Sequence, residues 1–273
     1  MRHLIAMGVL VGLAVPVMAH DMFLVVDDHD LPVASPAEVA LYNGTFDKSE
    51  NAIDRDRMID VSLVDGQGEV SHPTTGQWRD DNNIAFLSFQ TGAAGTYLLG
   101  VSTRPNMIEL SADDFNEYLK HDGVLDVLAA REQGGLLDRP ANERYAKHVK
   151  TLLQVGDDAT DTYSTFLGFP IEIIPQANPA SLAPGDTLRV LVMADGSPVA
   201  EQLVYASYAG YHSHDDTGGH QEAMQARTDA NGVAEIEISR SGRWYVRLIR
   251  MLPVDEDGVD YESNWATLTF EVQ

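Results

Sequence analysis

Cysteine is absent from all 273 residues. The chain therefore has no disulfides to staple a small core, no thiolate metal site and no thioether lipid anchor. Its stability must come from packed apolar side chains, and any transition-metal site must use imidazole, carboxylate, backbone groups or a terminal amine. Positive charge is scarce: 18 Lys and Arg stand against 42 Asp and Glu, for a formal net charge of −24. Nucleic acid is thereby excluded as an expected partner, because a phosphate backbone demands a cationic face; an acidic surface favours solubility and concentrates cations. Long apolar runs are missing after the N-terminus, so no membrane insertion of the mature chain is expected. The Walker loop, a G-x-G-x-x-G after a strand, the G-x-S-x-G elbow and H-E-x-x-H are absent too, which removes the common phosphate, dinucleotide, hydrolase and metalloprotease readings. A glycosidase-like pair of acids has no specificity in a chain with 42 carboxylates to choose from.

The N-terminus has a composition of its own. Arg2 is followed by an apolar stretch from Leu4 to Val17, and Val17-Met18-Ala19 places small residues where a signal peptidase reads. Residues 1–19 are expected to be a secretion signal cleaved between Ala19 and His20, which puts the mature protein in the periplasm or outside the cell. The apolar stretch is short for a membrane span, so a retained anchor is the weaker alternative. Cleavage there leaves a histidine as the new terminus, and such a residue offers both its amine and its Nδ1 to one ion, a chelate that no internal residue forms. The α-amino pKa near 8 is low enough for a metal to displace the proton.

Along the mature chain, "MFLVVDD", "EVALYNGTF", "MIDVSLVDGQG", "NIAFLSFQ" and "GTYLLGVSTRP" read as short strands separated by turn residues. "SADDFNEYLKHDG" opens with Ser111 and has Asp114 three residues later, a capping box that starts a helix, and "VLDVLAAREQ" continues in helix. "ANERYAKHVKTLLQVG", with Tyr145, Val149, Leu152 and Leu153 as an apolar stripe, is expected to be a third helix. On these helices His121 and His148 are expected at exposed polar positions. From Pro170 seven further strands follow, among them "VAEIEIS", in which Ala234, Ile236 and Ile238 alternate with Glu235 and Glu237. A weak repeat links "DNNIAFLSFQTGAAGTYLLGVSTRP" to "DANGVAEIEISRSGRWYVRLIRMLP". The expected fold is mainly β: an N-terminal sandwich over residues 20–108, a helical insert and linker over 109–169, and a C-terminal sandwich over 170–273, both sandwiches immunoglobulin-like or transthyretin-like. Trp78, Trp244 and Trp265 are expected to be packing residues.

The densest group of chemically capable side chains is "GYHSHDDTGGHQE", which puts His212, His214 and His220 beside Asp215 and Asp216 between two expected strands. Imidazoles two apart on extended chain project to one side, and the Gly218-Gly219 turn can return the third toward them. Such a set suits Zn, Cu(II), Ni(II) or Co(II); a hydrophilic loop with no ion is the plain alternative. His29 lies in the acidic turn "VVDDHDLP" and is expected to be an exposed loop residue, available at most as an extra ligand. His72, before Pro73, is assigned no role.

The series "AHDMFL", "SADDFNEYLKHDG", "ERYAKHVKTLLQVG", "LGFPIEIIPQANPASLAPGDTLRVLVMADGSPV", "TDANGVAEIEISRSGRWYVRLIRML" and "NWATLTFEV" resembles the family called domain of unknown function 4198 over essentially the whole mature chain. Members are often described as periplasmic components of nickel or cobalt uptake systems, so the resemblance implies an extracytoplasmic β-sandwich protein and a metal substrate. The family's histidine after the signal falls on His20 and its aromatic-aliphatic pair on Phe23-Leu24, with Phe where many relatives carry Trp. Arg250 stands where relatives often have a histidine, which shifts weight onto the cluster at 212–220.

The function expected is extracytoplasmic binding of a divalent transition metal, nickel or cobalt by resemblance and copper or zinc allowed by the ligand set, for delivery to a membrane metal transporter. His20, His212, His214 and His220 are the expected ligands, in one site or two. The rivals are a copper oxygenase that uses the terminal histidine as half of a chelating brace, and a metal-free interaction module.

Overall fold

The computed structural model describes residues 20–211 and 222–273. The expected signal segment at 1–19 lies outside the described residues. In chain order β1 (Asp21–Val25), β2 (Asp30–Leu31), β3 (Pro36–Gly44), β4 (Met58–Val64), β5 (Val70–Ser71), β6 (Trp78–Asp81), β7 (Ile84–Gln90), β8 (Gly95–Thr103) and β9 (Asn106–Leu110) precede α1 (Ala112–His121) and α2 (Leu125–Gln133). Then come β10 (Ala141–Val155), β11 (Ile171–Pro175), β12 (Thr187–Ala194), β13 (Ser197–Pro198), β14 (Leu203–Tyr208), β15 (Met224–Arg227), β16 (Val233–Glu237), β17 (Gly242–Glu256) and β18 (Val259–Val272). The protein is mainly β, built of stacked sheets. Among the described residues no helix is long and apolar enough to cross a membrane.

Three sheets make the sandwiches. The central one runs β15-β14-β17-β18-β10-β8-β4-β5, with β2 and β9 also on β10; the first outer sheet is β1-β3-β7-β6, and the second is β11-β12-β13 with β16 on β12. Alternate residues of the central strands serve the two outer sheets. Leu99, Val101, Val149 and Leu153 pack with Leu24, Val39, Leu41 and Leu87. Leu98, Leu152, Trp244, Leu248 and Leu268 pack with Ile171, Leu188, Val190 and Ile236. The two repeats follow the same plan: β7 and β16 each lie in an outer sheet, and the strand that follows each, β8 or β17, enters the central one.

β10 is the main correction to the sequence reading: "ANERYAKHVKTLLQVG" is a strand, not a helix. It pairs in parallel with β18, with Lys147 opposite Trp265 and Val149 opposite Thr267, and antiparallel with β8 and β9. Because an outer sheet or helix covers each face, residues 146–153 are all buried and the alternation that marks a half-buried strand is gone. Apolar residues left at positions 145, 149, 152 and 153 then mimic a helical stripe. His148 is accordingly buried rather than exposed.

The two other expected helices form as read. Asp114 N–H donates to the Ser111 hydroxyl at 3.2 Å, and that hydroxyl donates to Asp114 Oδ2 at 2.6 Å. Phe115, Tyr118 and Leu119 bury against Ile249, Met251, Tyr261 and Trp265 of the central sheet. The helix stops at Asp122, and Gly123 turns the chain with φ +76°, a conformation that favours glycine. Trp244 and Trp265 are core residues, each 1% exposed.

Candidate metal site at the head of the first strand

β1 lies across the central sheet. The hydroxyls of Thr267 and Thr269 donate to the carbonyls of Met22 and Leu24 at 2.8 and 2.6 Å, and Phe23 packs edge-on to Tyr245 of β17. Its head is held by Lys147 of β10. That buried ammonium donates to the His20 carbonyl and, at 3.3 Å, to Asn43 Oδ1, and it lies 5.3 Å from the Trp265 ring centroid. Burial pulls its pKa down to about 8, opposed first by the charge of Asp21. The His20 side chain is 29% exposed, with Nδ1 3.5 Å from Glu50 Oε2. Burial lowers the imidazole pKa while Glu50 opposes the shift, so the ring favours the neutral form that a metal takes.

Arg247 of β17 organises the surroundings. Its Nε donates to Glu222 Oε1 and lies 3.4 Å from Asp21 Oδ2, its Nη1 donates to the Asp122 carbonyl at 3.0 Å, and its guanidinium carbon sits 5.0 Å from the Tyr205 centroid. Tyr245 donates its hydroxyl to Glu222 Oε2 at 2.9 Å. Burial opposes the charge on Arg247, but Glu222 and Asp21 outweigh it and hold the guanidinium protonated. Three distant segments thus meet on one cation, and each bears a histidine just before its anchored residue: His20 before Asp21, His121 before Asp122, and His220 two places before Glu222.

The carboxylates here are unusual. Burial raises Asp21 to about 6 even with Arg247 beside it. Burial likewise raises Glu143 to about 7, although its Oε1 accepts from Tyr118 at 3.1 Å and from Ser263; its Oε2 is buried with no partner. His121 Nδ1 is 2.8 Å from Asp122 Oδ1, and that hydrogen bond raises the pKa of the ring. The charges of Asp122 and His121 in turn act on His20.

His212, His214 and His220 lie outside the described residues. The residues that flank them do not: Gly210 N–H points at both Asp47 carboxylate oxygens at 3.4 Å, and Glu222 sits on Arg247. Among the described residues no group of three or more His, Asp or Glu side chains is spaced to hold an ion. A metal at His20 therefore needs donors beyond those side chains. Two other histidines depart from expectation. His29 is buried, not an exposed loop residue, with Nδ1 3.5 Å from Glu271 Oε2 beside a pocket of about 20 Å³. His148 has Nδ1 2.9 Å from Ser102 Oγ and Nε2 3.0 Å from Asn264 Oδ1, so both its nitrogens are occupied.

Sequence reasoning missed His121, Lys147 and Arg247. One signal was present: the His-Asp dipeptide occurs at residues 20, 29, 121 and 214, at four of the nine histidines. The buried cations left no such trace, because a Lys or Arg inside a strand reads as surface until its neighbours are known.

The profile of the family described as Domain of unknown function (DUF4198) matches residues 17–251, and the chain belongs to that family. No match is found among curated proteins. Solved structures similar to the chain include trypsin-activated alpha-2-macroglobulin from Escherichia coli, at 11% identity and a TM-score of 0.26 over 93% of this chain and 16% of that one. They also include the D0-D1 domain of intimin, at 12% identity and a TM-score of 0.22 over 92% and 97% of the two chains. A third is the Escherichia coli adhesin FdeC, at 13% identity and a TM-score of 0.23 over 92% and 63%. The chain spans about one sixth of the length of the alpha-2-macroglobulin.

Proposed function

We propose that the chain is exported, processed after Ala19, and captures a divalent transition metal outside the cytoplasm for delivery to a membrane transporter. Nickel and cobalt are the ions the family resemblance favours; copper and zinc suit the same donors. His20 contributes its amine and Nδ1 as one chelate. His212, His214 and His220 supply further imidazoles, and Asp21, Glu50 and Asp122 supply negative charge around the ion. The observation that supports the reading is the convergence on Arg247: Asp21, the residue after His20, and Glu222, the first described residue after the 212–221 segment, share one guanidinium.

The test is calorimetric titration of the mature chain, beginning at His20, with Ni(II), Co(II), Cu(II) and Zn(II). A saturable one-to-one site is expected, lost in His20→Ala and in a chain lengthened by one alanine ahead of His20, which destroys the amine–Nδ1 chelate while keeping every side chain. No saturable binding of any of the four ions would remove the reading. Unchanged binding by the lengthened chain would move the site away from the terminus.

A further inference from the structure

We propose that a cavity of about 240 Å³ beside the head of β1 is a binding site for a small monocarboxylate with an apolar body, independent of any metal. Five segments close it: the turn that carries Ile53, Asp54 and Arg57 into β4, then β1, β3, the corner between β8 and β9, and β10. Its polar wall is made of donors. Arg57 Nη1 and Asn106 Nδ2 both donate to the Tyr145 hydroxyl, each at 3.4 Å, so that hydroxyl spends its lone pairs and keeps its own proton, for which there is no acceptor among the described residues. Lys147 follows Tyr145 by two residues on β10 and so points to the same side of the strand. Its Nζ lies 5.7 Å from the Tyr145 ring centroid, and the Arg57 guanidinium carbon lies 4.9 Å from the same point.

These two cations are short of partners in a chain with 42 acidic side chains. Among the described residues four Lys or Arg side chains are buried, Arg131, Lys147, Lys150 and Arg247. Lys150 and Arg247 sit on carboxylates, and Arg131 gives its guanidinium to Asn116 Oδ1, the Tyr261 hydroxyl and the carbonyls of Leu136 and Arg139. Lys147 has only neutral acceptors, the His20 carbonyl and Asn43 Oδ1, which leaves one of its three protons unspent. Arg57, half-buried, reaches the Tyr145 hydroxyl and the Arg104 carbonyl at 3.4 and 3.2 Å, both long for a charged donor, and its Nε is buried with no partner. Among the described residues neither cation has a carboxylate within ion-pair distance. Burial lowers the Lys147 pKa to about 8; Asp21 opposes the shift and the charge of Arg57 adds to it, so the two cations act on each other. Charge taken out of water is ordinarily paired, and this pair of cations calls for an anion.

The lining selects the kind of anion. Asp54 is the one acid on it among the described residues, so two positive charges stand against one negative and a monoanion neutralises the remainder. An ionised carboxylate only accepts, and it can take two parallel N–H bonds from a guanidinium edge. Met22, Ile53 and Met58 add apolar surface, which a hydrated inorganic ion leaves uncovered and an aliphatic body fills. At about 30 Å³ per water the cavity has room for roughly eight groups of that size, the heavy-atom count of a six-carbon acid. The plain alternative is that Lys147 only clamps β1 to β3 and Arg57 only stacks on Tyr145. That alternative gives the Tyr145 hydroxyl proton and the third Lys147 proton no task.

The experiment is calorimetric titration of the metal-free mature chain with sodium hexanoate, hexanamide and sodium sulfate. Hexanoate is expected to bind saturably at one site, and hexanamide, equal in length and uncharged, to bind roughly 10- to 100-fold more weakly. Arg57→Met keeps the aliphatic length and should weaken hexanoate by a similar factor while changing hexanamide far less; Arg57→Lys should recover part of the loss. Ala52→Trp, at an exposed lining position that touches neither cation, should abolish binding of both by filling the cavity. Thermal unfolding confirms that each variant folds, and hexanoate should raise the Tm of the parent but not of Ala52→Trp. Hexanoate bound no tighter than hexanamide, or bound equally by the parent, Arg57→Met and Ala52→Trp, would overturn the proposal, as would binding of sulfate in preference to hexanoate.

Discussion

Replacing Arg247 with methionine removes the guanidinium that contacts both Asp21 and Glu222. The aliphatic length is kept, so the change isolates the charge. Glu222 retains the Tyr245 hydroxyl, but the Asp21 carboxylate, already raised to about 6 by burial, and the Asp122 carbonyl each lose their guanidinium contact. Stripping one partner from a buried, hydrogen-bonded ion pair destabilises by about 3–5 kcal/mol, mostly because charge is left without compensation. For a chain of this size that loss corresponds to a fall in Tm of roughly 10 °C. The sign of its pH dependence follows from linkage. Without Arg247 the folded-state pKa of Asp21 climbs further above its unfolded value, so the folded variant takes up more protons than the unfolded chain as the solution is acidified. The deficit relative to the parent should therefore be largest near pH 8 and should shrink toward pH 5. Urea unfolding of the metal-free proteins at pH 8 and pH 5 measures it. Adding Asp21→Asn and Glu222→Gln to the Arg247→Met chain should recover most of the stability, because neutral groups no longer need the cation. A loss below about 1 kcal/mol, or one equal at both pH values, would refute the account of Arg247 as the hub of a buried charge cluster.

Glu143, raised to about 7, contributes stability that is complete below its ordinary carboxylate range and declines as pH rises through 7; Glu143→Gln should flatten the fall in unfolding free energy between pH 5 and pH 8, and an unchanged slope would disprove the shift. Lys150 and Glu172 form an ion pair 2% and 0% exposed, and Glu172 also accepts the N–H groups of Leu167, Gly168 and Phe169. Lys150→Met should lower stability by about 3 kcal/mol in denaturant titration, at the low end for a broken buried pair because those three donors remain. Gly123→Ala places a methyl 2.5 Å from the Tyr205 ring at φ +76°; it should destabilise by more than about 2 kcal/mol in denaturant titration, and parent-like stability would contradict the role of that turn.

Much of the β architecture was legible because most strands have one face on a core and one toward solvent. In β16, Ala234 and Ile236 are buried while Glu235 and Glu237 are exposed, and the alternation alone identifies the strand. α1 was legible from its cap, which depends on two residues three apart and on nothing distant. His20 was singled out by position alone, since a terminus created by cleavage would have chemistry that no internal residue shares. The strands missed were short edge pieces and β10, where burial on both faces erases the period that identifies a strand.

That one misreading also hid the surroundings of His20. On a helix, residues 143, 147 and 150 share a face, and Lys147 and Lys150 fall together on a polar stripe. On a strand, Glu143, Lys147 and Val149 point to one side of the central sheet and His148, Lys150 and Leu152 to the other. The first side meets β1 and α1, so Glu143 meets Tyr118 and Lys147 meets the His20 carbonyl. The second meets β11, so Lys150 finds Glu172, while His148 bonds Asn264 and Ser102 of the flanking strands β18 and β8. A period of two thus sorts one basic, histidine-bearing segment into a face toward β1 and α1 and a face toward β11. The cation that fixes the first ligand of the proposed site became visible only when the strand did.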